Sequence, residues 1–82
     1  MMAVVTVRYW AGARAAAGRE EEAVDAGTVG ELLAGLSARP DLARVLTAAS
    51  LLVDGEVVRR EDTDHQLASG SIVDVLPPFA GG

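Results

Sequence analysis

The segment TVGELLAGL (28–36) reads as a helix from its start through its middle. Thr28 and Glu31 have the S/T-x-x-E spacing of a capping box, in which two side chains satisfy donors left free at a helix start. Val29, Leu32, Leu33 and Leu36 fall at i, i+3, i+4 and i+7, which makes one continuous apolar stripe. Gly30 and Gly35 each weaken such a helix by up to about 1 kcal/mol relative to Ala. Packing must therefore hold it, and one striped helix needs a second layer to cover the stripe.

The other apolar runs supply that layer as strands. AVVTVRYW (3–10) is rich in β-branched and aromatic residues. Alternation places Val5, Val7 and Tyr9 on an inner face and Thr6, Arg8 and Trp10 on an outer one. AGARAAAGR connects onward, with room for a helical turn, to REEEAVD (19–25), a charged edge strand whose adjacent acids discourage edge-to-edge pairing. Pro40 ends or bends the main helix, and Leu42, Val45 and Leu46 are spaced for one short helical segment. Asp54 and Gly55, between two apolar runs, suit a type I′ hairpin turn. A polar connection follows, anchored by Leu67, and then the final strand SIVDVLP, with Val73 and Val75 inward and Ile72, Asp74 and Leu76 outward. Pro77 cannot donate to a sheet ladder, so pairing stops there.

Strand, strand, helix, short helix, hairpin, strand is the order of an α+β fold. It predicts a mixed sheet with one main helix packed on one face and the two terminal strands parallel at its centre. That is the β-grasp arrangement of ubiquitin-like proteins, with residues 1–76 as the domain and residues 77–82 as a flexible tail.

Composition narrows the function. The 82 residues suit a single small domain, and no run of about 20 apolar residues exists to span a membrane. The N-terminal stretch lacks the pattern of a signal peptide, which leaves the cytoplasm as the expected compartment. Cysteine is absent, which removes thiolate metal sites and thiol nucleophiles. The twelve acidic residues outnumber seven basic ones, all arginine, for a net charge of −5. An acidic surface repels a phosphate backbone, so nucleic acid is not an expected partner. His65 stands alone in a polar stretch, too few ligands for a metal. Arg59 and Arg60 read as a solvated pair, as do Glu20, Glu21 and Glu22 as a solvated run.

The chemistry concentrates in the ending LPPFAGG. A terminal carboxylate is a poor acyl group until a nucleotide activates it. Sulfur can then displace AMP and leave a thiocarboxylate. Without cysteine the chain cannot hold sulfur as a persulfide, so if it carries sulfur the Gly82 carboxyl is the seat left for it. Gly81 and Gly82 let the backbone enter a narrow channel. Pro77 and Pro78 hold the exit extended at low entropic cost, and Phe79, followed by Ala80, offers an apolar anchor to a partner.

The segments YWAGAR, TVGELL, DGEVV and ASGSIVDVLPPFAGG together resemble the MoaD/ThiS family of small sulfur carriers over nearly the whole chain. They are most similar to its MoaD branch, the small subunit of molybdopterin synthase. Trp10, Ala11 and Arg14 lie on the family's aromatic–Ala–x–x–Arg positions. The resemblance implies that Gly82 is adenylated by an E1-like adenylyltransferase of the MoeB type, which uses ATP, and then becomes a thiocarboxylate. No cofactor would be bound to the chain itself. The tail would next enter a MoaE-like large subunit, in a heterotetramer, and supply sulfur for molybdopterin. The same chemistry would also serve a carrier for thiamine, cysteine or tRNA thiolation, and the fold would serve a ubiquitin-like protein modifier. Trp10, Arg14, Val57 and Leu76 are the expected partner interface, a patch beside the tail.

Overall fold

The computed structural model describes residues 3–77. Five strands and three helices follow in the order β1 (Val4–Tyr9), α1 (Gly12–Ala17), β2 (Glu21–Asp25), α2 (Val29–Leu36), α3 (Pro40–Leu46), β3 (Ser50–Val53), β4 (Glu56–Val58) and β5 (Ile72–Leu76). The sheet order is β2-β1-β5-β3-β4. β1 and β5 run parallel at the centre, with Thr6 opposite Ile72 and Tyr9 opposite Val75. The other pairings are antiparallel. This is the expected mixed β-grasp sheet.

Alternation holds along the central strands. Val5, Val7, Tyr9, Val73 and Val75 are buried on the inner face, joined by Leu51, Val53 and Val58 from the hairpin. Val29, Leu32 and Leu36 of α2 and Leu42 and Leu46 of α3 cover them, and Ala13 of α1 closes one end. A buried aliphatic side chain of this kind contributes about 1.5–3 kcal/mol.

The start of α2 is fully partnered. Thr28 Oγ1 accepts from the Glu31 N–H at 3.2 Å, and Glu31 Oε1 reaches back to the Gly27 N–H at 2.9 Å, one residue earlier than in the standard reciprocal box. The N–H groups of Val29 and Gly30 donate to the carbonyls of His65 and Thr63, each at 3.0 Å. The long polar connection after β4 is thereby tied to the helix, and Leu67 is buried as its anchor. The hairpin is a two-residue turn closed by Val53 opposite Glu56. Asp54 and Gly55 both have positive φ, 50° and 87°, as a type I′ turn requires. Asp54 also accepts from the Ile72 N–H and the Ser71 hydroxyl, each at 2.9 Å, which docks the turn on the start of β5.

Four sequence expectations change in contact with the fold. The Ala-rich connection is a helix, α1, rather than a single turn. Pro40 opens α3 at its first turn, where the missing N–H costs nothing. Arg60 is not a solvated group: it donates to the carbonyls of Leu46, at 2.8 Å, and Thr47, which satisfies the end of α3. Glu22 is not a solvated edge acid. It points to the inner side, opposite Val7, and accepts from the Tyr9 hydroxyl and the Arg39 guanidinium. Arg39 also donates to Tyr9 Oη at 3.0 Å, so one small network joins β1, β2 and the start of α3.

Candidate partner interface and tail exit

β5 is hydrogen-bonded on both sides, to β1 and to β3, up to its last residues. Leu76 pairs with Ser50, and the Trp10 N–H donates to the Val75 carbonyl at 3.2 Å. The chain therefore leaves the middle of the sheet at half-buried Pro77 from a strand anchored on both flanks. Pro78, Phe79, Ala80, Gly81 and Gly82 lie outside the described residues.

The sheet face opposite the helices carries a register row running Glu21, Arg8, Asp74, Leu52, Val57 from β2 to β4. Ile72 and Thr6 sit one step above it, and Trp10 and Leu76 one step below, beside the exit. Val57 is 75% exposed, Trp10 42% and Ile72 37%, while Leu52 and Leu76 are half-buried. Three of the four expected interface residues, Trp10, Leu76 and Val57, thus share one open face. Leu52 and Ile72 join them. Alternation is the signal for Leu52, since its neighbours Leu51 and Val53 both face the core.

Arg14, the fourth, lies on α1 and is exposed, 3.7 Å from Glu20. It lines a shallow cleft with Arg8, Tyr9, Trp10, Glu20 and Glu21 at the rim of that face. His65 is exposed, and its carbonyl rather than its ring makes the described contact. Among the described residues no set of three His, Asp or Glu converges as a metal site, and no helix is long and apolar enough to cross a membrane.

Asp74 departs from the simple alternation. It is on the outer face as expected, yet only 6% exposed. Arg8 pairs with it in bidentate geometry, Nε to Oδ1 at 2.7 Å and Nη2 to Oδ2 at 3.0 Å, and Trp10 Nε1–H donates to Oδ1 at 2.9 Å. The Arg8 guanidinium carbon is 5.8 Å from the indole centroid, within cation–π range. The Arg8 hydrogen bonds, with that of Trp10, hold the Asp74 carboxyl below the usual carboxylate range against the opposing effect of burial.

The ThiS family model matches residues 7–82, from the first strand through Gly82. The chain belongs to the ThiS family. This is a family of ubiquitin-like sulfur carriers and modifiers. The fold agrees: the small archaeal modifier protein 1 of Methanosarcina acetivorans superposes with a TM-score of 0.84 at 26% identity, covering 100% of this chain and 99% of that one. The same-named protein of Haloferax volcanii gives 0.78 at 26% identity over 96% and 99%. A chain in the complex of subunits 1 and 2 of the molybdopterin-converting factor of Helicobacter pylori gives 0.77 at 24% identity over the full length of both, a likeness of fold. No curated protein sequence matches the chain.

Proposed function

We propose that this ThiS-family chain is a sulfur carrier whose Gly82 carboxyl is adenylated and converted to a thiocarboxylate. The sulfur then goes to molybdopterin synthesis, with the chain acting as the small subunit of a molybdopterin synthase. Residues 1–76 are the handle and residues 77–82 the arm. An E1-like adenylyltransferase of the MoeB type spends ATP on the carboxyl, so the carrier needs no resident cofactor. A MoaE-like large subunit receives the arm, two of each forming a heterotetramer.

The observation that carries this proposal is that the family match runs through Gly82, in the segment delivered by the doubly anchored β5. A strand paired on both sides gives the arm a fixed origin, which lowers the entropy lost when it enters a partner's active site. The open face around Trp10, Leu76 and Val57 supplies the contact that holds the handle. The assignment to molybdopterin rests on the MoaD-like PPFAGG ending. Deleting Gly82 in the host should abolish molybdoenzyme activity, with restoration by the intact gene. Undiminished activity would refute the assignment.

One observation favours a second function, a protein modifier attached to lysines of other proteins: two structural relatives at 26% identity are named as modifiers. The chain has no lysine of its own, so it cannot form side-chain polymers with itself. Remnants ending in the Gly82 carbonyl on lysines of other host proteins would support this function.

A further inference from the structure

Asp74 sits at the centre of the open face, between Arg8 and Leu52, on a central strand where Asp is disfavoured. Its ion pair with Arg8 adds little to stability, because the arginine side chain is 42% exposed and solvent screens the pair. Its contacts suggest another use. The carboxylate spends one oxygen on both Arg8 Nε and Trp10 Nε1, and the other on Arg8 Nη2. The indole is thus tied by its N–H edge and flanked by Arg8, while much of its surface stays open.

The backbone fixes the same residue. The Trp10 N–H is bonded to Val75, and the next residue, Ala11, adopts φ 50°, ψ −124°. That is the first central position of a type II′ turn, closed by the Ala13 N–H donating to the Trp10 carbonyl at 3.0 Å. Glycine is the usual occupant, so alanine there stores strain. Strain and buried charge both converge on the orientation of one exposed aromatic next to the tail exit.

We propose that Asp74 is a positioning residue for docking: acting through Trp10 and Arg8, it holds the indole pre-oriented beside the exit of β5, so that the adenylating partner captures the handle before Gly82 reacts. This inference rests on the sulfur-carrier function and names the residue that sets its recognition step. The partner groove it fits accepts a flat aromatic with its N–H already occupied, flanked by a neutralised guanidinium. Fixing the side chain in advance spares the ordering cost of docking.

The experiment measures ATP–pyrophosphate exchange by the host's E1-like adenylating enzyme, with the full-length chain as substrate. Wild type is compared with D74A, D74N, W10F and the W10F/D74A double variant. D74A should raise KM for the carrier about tenfold with kcat unchanged. D74N keeps an acceptor for the indole and should raise it less. On the W10F background D74A should add little, because the two residues act as one unit. The chain has a single tryptophan, so emission and acrylamide quenching report its orientation directly; D74A should increase quenching while circular dichroism stays unchanged. Should D74A fail to fold, D74N carries the comparison. Unchanged KM in the variants, a loss confined to kcat, additive effects on the W10F background, or unchanged quenching would each overturn the proposal. No exchange with wild type would refute the sulfur-carrier function, and the proposal with it.

Discussion

Gly30 and Thr63 approach so closely that no methyl fits between them. A Cβ on Gly30 would lie 2.9 Å from Thr63 Cβ and 3.0 Å from the Thr63 carbonyl oxygen, which already accepts the Gly30 N–H. The glycine that weakens α2 in isolation is therefore what lets the 59–70 connection close over the helix start.

The helix supplies its own control. Gly→Ala in a helix ordinarily stabilises by up to about 1 kcal/mol, and a Cβ on Gly35 meets nothing within 4 Å. G35A should raise the melting temperature. G30A should lower it, with a net loss of about 1–3 kcal/mol as the backbone of the connection is displaced. Denaturant melts of the two variants, run side by side, check the opposite signs.

Ala11 offers a stabilising change. Its left-handed φ costs about 1–3 kcal/mol, whereas glycine at that site costs about 0.4–1 kcal/mol through the unfolded chain. A11G should gain about 1 kcal/mol in urea unfolding. The same variant frees the backbone next to Trp10, so its quenching by acrylamide should rise although the protein is more stable.

Arg39 is set outside α3 by the proline that follows it, with an extended φ of −95° and ψ of 115°. From there its side chain satisfies Glu22 and Tyr9. Burial and the hydrogen bond to Glu22 push the Tyr9 hydroxyl well above its usual range. Removing the cation leaves a partly buried carboxylate facing a phenol with one donor fewer. R39A should cost about 1–3 kcal/mol. R39A combined with E22Q should recover part of that loss, as a double-mutant cycle in melting experiments would show.

Stability should fall on the acid side. The Ile72 N–H, then the Ser71 hydroxyl, holds the Asp54 carboxyl low, and Arg8 does so for Asp74. Burial opposes the same shift at Glu22, but the Tyr9 and Arg39 hydrogen bonds prevail. Each folded-state pKa is depressed, so the stability these groups add is present above the unfolded-state value of about 4 and is lost as pH falls through the folded-state values. Melting temperature should stay level down to about pH 5 and then decline, and D74N should decline less steeply. A fall beginning at neutral pH would contradict this assignment.

How far the sequence reveals the fold depends on the distance over which each signal acts. The capping box at Thr28, the stripe from Val29 to Leu36, the Asp54 and Gly55 turn and the alternation through Val5, Val7 and Tyr9 are local patterns, and each forms as read. The same alternation assigns Trp10 and Leu76 to the open face, and Val57, expected beside them from the hairpin, lies there too. The polar network was not legible. Arg8 and Asp74 lie 66 positions apart, and only the parallel pairing of the terminal strands brings them together. Glu22 looked like one of three edge acids because its partners, Tyr9 and Arg39, come from other elements. Arg60 reads as solvated in the sequence because the carbonyls it caps belong to a helix more than ten residues earlier.

The central claim is that sulfur rides on the terminal carboxyl of Gly82. Intact-mass analysis of the chain purified from its own host, with fragmentation to locate any change, tests it most directly. The proposed function predicts a species heavier by the replacement of one oxygen by sulfur, confined to the last residue and lost in a chain lacking Gly82. A terminus found only as the carboxylate in a host that expresses the activating enzyme, or the added sulfur located anywhere else on the chain, would contradict it.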